Sequence, residues 1–430
     1  MTPSTALLTD HYELTMLQAA LRSGAAHRRC VFETFTRRLP EGRRYAVLAG
    51  TGRLLEAIER FRFGAAEVED LRRRGVVDAA TCDWLAGYRF GGDISGYAEG
   101  DCFFPGSPVL VVEGTFAEAV VLETLVLSIL NHDSAIASAA SRMTSAAGGR
   151  PCIEMGSRRT HEEAAVAAAR AAYIAGFERT SNLEAGRRFG VPTTGTSAHA
   201  FTLLHDSERD AFAAQLDALG AGTTLLVDTY DVPEAVRTAV ELAGPELGAV
   251  RLDSGDLLVQ AREVRAQLDA LGATQTRIIV TSDLDEYTIA ALGAAPVDAY
   301  GVGTALVTGS GHPTSSMVYK LVAREGASGQ LEPVAKKSKD KRSVGGRKWA
   351  MRRLGPDGRA EAEVVGIGEP PINDGNDRPL MVELVRGGEI VNRSDLLDAR
   401  ARHERSRDEL PRTALQLQRG EVCLPTVYAD

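Results

Sequence analysis

The chain of 430 residues is 44% hydrophobic and 25% charged, with a formal net charge of −9 and a sequence pI near 5.6. That length exceeds what one hydrophobic core organises and predicts about two or three domains of an ordinary soluble globular protein. The acidic balance argues against a nucleic-acid partner, because a phosphate backbone needs a basic face, and no apolar run reaches the ~18 residues of a membrane span. The opening Met1-Thr2-Pro3-Ser4 has neither basic nor apolar leader character, and the five Cys (Cys30, Cys82, Cys102, Cys152, Cys423) form no CxxC pair. Reduced thiols, a cytoplasmic setting and no zinc site are therefore expected.

In chain order, residues 1–115 mix a helix over about 10–23, strand-like alternation at 30–35, and helices near 51–62 and 66–73. Residues 116–147 repeat apolar and small side chains at helical spacing. Short apolar runs at 152–156, 191–196, 224–228, 249–253, 277–281 and 298–303 then alternate with helical stretches near 162–177, 208–219, 232–242, 256–271 and 285–292. Such β/α units suit a barrel or an open parallel sheet; a barrel is preferred because polar residues close every strand in turn. Residues 320–400 read as strands with glycine turns. The expected architecture is thus α/β: an incomplete, TIM-like barrel of about six strands over 116–319. Beside it stands an α+β domain of 1–115 completed by 320–400, and 401–430 forms a charged, solvated tail.

The strand ends carry the chemistry. The first offers Glu154, Gly156, Ser157, Arg158 and Arg159; the second offers Gly195, Thr196 and, one turn on, His199, in a chain with only 8 His. An imidazole placed there serves proton transfer or covalent catalysis, or packs at a helix start. The remaining ends supply Asp228, Thr229, Tyr230 and Asp231; Arg251, Asp253, Ser254 and Asp256; Thr281, Ser282 and Asp283; and Gly301, Gly303 and Thr304. The last three either close backbone N–H groups and a hydroxyl on a phosphate or make a plain tight turn. Asp228 and Asp253 suit a Mg²⁺ carrying a polyphosphate, while Asp256 reads rather as a helix cap. Arg158 and Arg251 present planar forks to carboxylate or phosphate. Schiff-base aldolase chemistry is excluded, since it needs a barrel Lys and no Lys precedes Lys320. No GxGxxG opens the first β/α turn, which argues against a nicotinamide dehydrogenase. A non-catalytic phosphosugar-binding barrel stays open.

Five co-linear motifs carry a resemblance: Thr9-Asp10-His11-Tyr12-Glu13-Leu14-Thr15-Met16, Glu154-Met155-Gly156-Ser157-Arg158-Arg159, Gly195-Thr196-Ser197-Ala198-His199, Arg251-Leu252-Asp253-Ser254-Gly255-Asp256 and Gly301-Val302-Gly303-Thr304. Over about residues 7–350 the chain resembles the nicotinate phosphoribosyltransferase family. The resemblance implies that nicotinate and phosphoribosyl pyrophosphate give nicotinate mononucleotide and pyrophosphate, coupled to ATP hydrolysis. It implies that His199 is phosphorylated by ATP, and that Tyr12 stacks on the pyridine ring in the site of the neighbouring subunit of a head-to-tail homodimer. Arg251 and Thr196 match nicotinate contacts, and Arg158 and Ser254 are expected to bind substrate as well. Asp253 and Asp228 match acidic positions near Mg²⁺–pyrophosphate. Ser282, Asp283, Gly301, Gly303 and Thr304 match the loops around the 5-phosphate.

Two departures stand out. Met155 occupies the place of a frequent Phe, where a thioether still packs on an aromatic face. All six Lys lie between Lys320 and Lys348, in a stretch resembling the family's basic hairpin but with Val344-Gly345 where Pro is common before the Gly. Lys341, and with it Lys348, is expected to close over ATP or pyrophosphate phosphates, the alternative being a solvated turn. The nearest rival is nicotinamide phosphoribosyltransferase, which usually places an Asp where this chain has Ser181; a carboxylate there would repel nicotinate. Quinolinate phosphoribosyltransferase fits less well, having no ATP-dependent His.

Overall fold

A computed structural model of the chain describes residues 3–336, 343–393 and 395–429. The chain separates into two compact units, Met1–Ser138 with Thr314–Asp430, and Ala139–Pro313.

In the unit Ala139–Pro313, six parallel strands carry the architecture: β1 (Cys152–Glu154), β2 (Arg179–Thr180), β3 (Thr224–Leu226), β4 (Ala249–Leu252), β5 (Arg277–Val280) and β6 (Ala299–Val302). They pair in the order β2-β1-β6-β5-β4-β3, every neighbouring pair parallel. The two edge strands β2 and β3 do not pair with each other among the described residues, so the barrel is incomplete, as expected. Strands covered on both faces must be apolar nearly throughout, and Leu225, Leu226, Val250, Leu252, Ile278, Val280, Tyr300 and Val302 are all buried. Four crossover helices start on a Ser or Asp cap: Ser207, Asp231, Asp256 and Asp285 each accept a backbone N–H of the following first turn. The reading of Asp256 as a cap therefore holds.

One strand lies elsewhere than expected. Residues 191–196 form no strand; they contribute a single bridge, Thr180↔Thr193, and the sheet position belongs to β2. Pro192 has no N–H to donate to a ladder, and Gly195 adds no side chain to pack, so the segment sustains only one rung.

The helix Glu123–Ala147 runs from one unit into the other. Its first turns, with the helix Phe116–Val120, belong to the first unit, so the second unit starts at Ala139 rather than at 116. The reason is packing: Val120, Leu122, Leu125, Val126 and Leu130 share a core with Leu14, Leu17, Phe32 and Tyr319. By length and composition the stretch Phe116–Ala147 is apolar enough to cross a membrane, contrary to the expectation that no run would be, but 67% of its most apolar window is buried inside the protein. It carries Asp133, whose fully buried carboxylate is held by Arg53 at 2.8 Å. That is the composition of a core helix.

The first unit is α+β and is closed by both ends of the chain. Its main sheet runs Leu331–Pro333, Met317–Glu325, Arg29–Thr36, Leu110–Thr115, Asp93–Tyr97, Met381–Arg386, Glu389–Ile390 in spatial order. A second sheet joins Arg378–Pro379, Lys348–Leu354, Ala360–Ile367 and Thr426–Tyr428. Between them lies a buried charge cluster: Arg352 Nη2 donates to Glu363 Oε1 at 2.7 Å and to the Cys102 carbonyl at 2.7 Å, while Tyr97 OH donates to Glu363 Oε2 at 3.0 Å. Lys348 is only 1% exposed and pairs with the equally buried Glu33 at 2.6 Å. This corrects the expectation of a phosphate-closing Lys348: its ammonium is already committed to a buried carboxylate.

The tail is not simply solvated. Helix Leu396–Asp408 buries Ala399, His403 and Ser406, one face at helical spacing. It docks so closely on Gly100 (φ +100) that a Cβ there would collide with the Ala399 carbonyl. Ser406 Oγ accepts the Cys102 N–H at 2.9 Å. Both ring nitrogens of His403 are buried, and burial, reinforced by the Arg407 charge and opposed by a hydrogen bond with the Gly100 backbone, lowers its pKa to about 3. Unfolded His takes up a proton near pH 6.5, so the unfolded chain binds more protons below that pH and stability falls as pH drops from about 6.5 towards 3. Denaturation midpoints at pH 7 and pH 5 should therefore differ more for the wild type than for His403→Gln; equal differences would show that His403 is not the titrating group.

Candidate active site

All side chains described in this section lie in the unit Ala139–Pro313 unless stated otherwise. Parallel pairing brings the carboxyl ends of the strands to one edge of the sheet. At the end of β1, Glu154 is fully buried, with no cation against it. Its Oε1 accepts the Gly156 N–H and its Oε2 accepts the Thr180 hydroxyl, while its carbonyl accepts the Ser181 N–H at 2.8 Å. Thr180 Oγ1 in turn accepts the Asn182 N–H at 2.9 Å, and Asn182 Nδ2 reaches Ser157 Oγ at 2.9 Å. Burial raises the Glu154 carboxyl above its ordinary range, against the bonds from Thr180 and Gly156. One carboxylate thus ties the loop bearing Arg158 to the loop bearing Ser181.

Across the sheet, β3 and β4 build a second knot around His199. Asp228 Oδ2 accepts the Asp253 N–H at 3.0 Å and the Ser254 hydroxyl at 2.6 Å. Its side chain is 2% exposed, and its other oxygen, Oδ1, is buried without a hydrogen-bond partner among the described residues, 4.0 Å from His199 Nε2. Asp253 Oδ2 lies 3.9 Å from the same nitrogen, and its Oδ1 accepts the Thr281 hydroxyl. On the opposite side of the ring, His199 Nδ1 meets Thr229 Oγ1 at 3.1 Å. Arg251 Nη2 donates to the Ser197 carbonyl at 2.8 Å and so holds the loop that carries His199. Burial lowers the Arg251 guanidinium pKa, with Arg158 nearby adding to the effect and Asp253 and Asp228 opposing it. Next to this knot, burial raises the Glu208 carboxyl to about 7, helped by Asp231, Asp228 and Glu234.

The other expected positions fall as follows. Arg158, Ser181, Ser254, Ser282, Asp283 and Thr304 are exposed; Thr196 and Gly303 are half-buried. Ser282 has φ 110, a region that costs a side-chain-bearing residue of order 1–3 kcal/mol, so the loop after β5 is held in a form it would not adopt alone. Gly301 lies within β6, not in the turn; a Cβ there would come to 2.5 Å of Thr281 Cγ2 and 2.8 Å of Met155 Sδ, so its bareness makes room for both side chains. Gly303 is the N-cap of the short helix Thr304–Val307. Tyr12 belongs to the first unit, 43% exposed, with its hydroxyl hydrogen-bonded to Glu123. In the same motif Glu13 is buried and accepts the Thr124 N–H at 2.9 Å, capping the long helix. Lys341 lies outside the described residues.

Sequence reasoning placed Glu154, Thr229 and Thr281 at strand ends without assigning them work, and it did not separate Ser197 from its motif. A Glu ending an otherwise apolar strand was the available signal for Glu154. For Thr229 no local pattern distinguished its hydroxyl from that of any strand-end Thr.

No group of three or more His, Cys, Asp or Glu forms a metal cage among the described residues. Mg²⁺ needs less: it keeps its waters and takes one or two carboxylates plus substrate phosphates. The orphaned Asp228 Oδ1 and the open Asp253 Oδ2 meet that requirement.

An incomplete parallel α/β barrel with a His facing two carboxylates, an Arg fork and glycine-lined loops at its carboxyl edge defines a barrel enzyme class built for anionic small molecules. The N-terminal domain model of the nicotinate phosphoribosyltransferase (NAPRTase) family matches residues 7–131. The nicotinate phosphoribosyltransferase pncB1 of Mycobacterium tuberculosis is 60% identical over 98% of this chain and 94% of its own length, and the Bacillus subtilis nicotinate phosphoribosyltransferase is 36% identical over 86% and 78%. The crystal structure of human nicotinic acid phosphoribosyltransferase superposes with a TM-score of 0.85 at 27% identity, covering 98% of both chains. The chain belongs to the nicotinate phosphoribosyltransferase family.

Glu154→Ala removes the acceptor for two buried donors, each worth about 1–3 kcal/mol when left unmade. Nicotinate mononucleotide formation should fall at least tenfold in kcat/KM, whereas Glu154→Gln, which can still accept from Gly156 and donate to Thr180, should keep most of it. Equal activity in Glu154→Ala and wild type would remove Glu154 from the site.

Proposed function

We propose that this chain transfers a phosphoribosyl group from phosphoribosyl pyrophosphate to nicotinate, and that ATP hydrolysis drives the reaction through a phosphorylated His199. Membership of the family supports the transfer. The observation that carries the rest is the setting of His199: one ring nitrogen faces Asp228 and Asp253 at 4.0 and 3.9 Å, the other a neutral hydroxyl at 3.1 Å.

Departure of pyrophosphate from the ribose carbon passes through an oxocarbenium-like state, which the enzyme favours by orienting the attacking ring nitrogen and neutralising departing charge. The pyridine nitrogen bears no proton to remove, so His199 is not needed as a base. Arg251 and Arg158 hold the nicotinate carboxylate, with Thr196 and Ser181 beside the ring. Ser254, Ser282, Asp283, Gly301, Gly303 and Thr304 surround ribose and 5-phosphate. Asp228 and Asp253 would hold Mg²⁺, which when bound neutralises charge on the pyrophosphate. Two carboxylates facing Nε2 favour the tautomer with its proton there, leaving the lone pair on Nδ1. That pair attacks the γ-phosphorus of ATP, the bond to ADP breaks, and the resulting ring cation is stabilised by Asp228 and Asp253. Water later cleaves the N–P bond and releases phosphate.

In this reading the protein works in the cytoplasm as a homodimer, with Tyr12 stacking on the ring in the site of a second copy, and Lys341 closing over phosphates. Ser181 favours nicotinate over nicotinamide, because it puts no carboxylate against an acid substrate.

Turnover of nicotinate and of nicotinamide with phosphoribosyl pyrophosphate, with and without ATP, tests the proposal. Nicotinate should react, faster with ATP; His199→Ala should lose the ATP effect but not all turnover. No nicotinate mononucleotide under any condition would refute it. Ser181→Asp should lower kcat/KM for nicotinate by tenfold or more and narrow its advantage over nicotinamide; an unchanged ratio would remove Ser181 from selectivity.

A further inference from the structure

Thr229 stands at the carboxyl end of β3, next to Asp228, in a position to which the reaction above assigns no work. Its hydroxyl is the hydrogen-bond partner of His199 Nδ1, at 3.1 Å. The direction of that bond follows from the other face of the ring. With Asp228 Oδ1 and Asp253 Oδ2 beyond Nε2, the proton belongs on Nε2, and Nδ1 is an acceptor. Thr229 therefore donates, along the very lone pair that must attack phosphorus.

The donor is well anchored. Asp228, its chain neighbour, is pinned by the Asp253 N–H and the Ser254 hydroxyl. A β-branched side chain also has few rotamers to choose from, so the hydroxyl is held rather than searching.

We propose that Thr229 is the positioning residue of His199: it holds the imidazole in the Nε2–H tautomer, and it hands its hydrogen bond from Nδ1 to a phosphoryl oxygen as the N–P bond takes up that lone pair. No proton changes owner at Thr229. The hydroxyl rotates, and the O–H that had bonded the Nδ1 lone pair then binds the transferred group, where a charged acceptor makes the bond stronger. This rests on the phosphohistidine reading above and adds to it a reason why the unphosphorylated ring waits in a reactive orientation.

The test compares Thr229→Val, which keeps shape and loses the donor, with Thr229→Ser, which keeps the donor. Labelled ATP should phosphorylate Thr229→Val about tenfold more slowly than wild type, the cost of about one hydrogen bond, and Thr229→Ser should restore the rate. In parallel, ¹⁵N spectra of the His199 ring, assigned by its loss in His199→Asn, should show the Nε2–H form in wild type and Thr229→Ser and a changed tautomer mixture in Thr229→Val. Wild-type phosphorylation and an unshifted ring in Thr229→Val would overturn the assignment, as would Thr229→Ser failing like Thr229→Val. Were wild type itself not phosphorylated, the phosphohistidine reading would fall, and the ring spectra would still decide whether Thr229 orients His199.

Discussion

Parallel strands joined by helices on the same chain can point only one way, and that single restriction organises the functional half of this protein. Because β1 to β6 all run in the same sense, every strand delivers its following loop to the same edge. Glu154, Asp228, Arg251, Asp253, Thr281 and Gly303 are far apart in sequence, yet none needs a dedicated contact to be brought to that edge; the pairing register does it. Local chemistry is left with a finer task. Carboxylates buried at the ends of β1 and β3 turn loosely gathered loops into fixed ones, Glu154 by binding two donors and Asp228 by binding two more on one oxygen.

The two carboxylates divide their capacity differently. Glu154 has both oxygens satisfied, as a structural group should. Asp228 leaves one oxygen buried and unpartnered, an arrangement costly to a folded protein unless something else meets it. The fold spends one acid on rigidity and keeps one incompletely satisfied beside His199. Arg251 shows the same economy, with Nη2 bonded to Ser197 and Nε buried without a partner.

Much of this was legible in the sequence. Short apolar runs ending in polar residues gave the parallel class, the motif around His199 lies at the carboxyl edge of the sheet as read, and Asp256 read correctly as a cap. What was not legible depended on what no local pattern encodes. The run at 191–196 looks like a strand until the missing N–H of Pro192 is counted against the two residues of β2, too few to announce themselves. Lys348 looked like a free cation because its partner Glu33 is distant in sequence. The tail looked solvated because its docking face is made of Ala399, His403 and Ser406 against a bare glycine, not of large apolar side chains. The hydroxyl of Thr229 has no signature beyond its place after Asp228, and only the side-chain geometry sets it against an imidazole.

The division of the chain also bears on the order in which the protein comes into being. The unit Ala139–Pro313 is continuous, so all its strands exist once residue 313 has been synthesised. The unit that contains the first residues is different. Asp93–Tyr97 waits for Met381–Arg386, Arg29–Thr36 for Met317–Glu325, and Ala360–Ile367 for Thr426–Tyr428. Domains generally fold as units while the ribosome is still adding residues at about 5–20 per second, so here the half that begins first is completed last. Until its C-terminal strands arrive, Phe32 lacks the Tyr319 ring that stacks on it at 4.8 Å, and Arg29–Thr36 and Asp93–Tyr97 each present an unpaired edge.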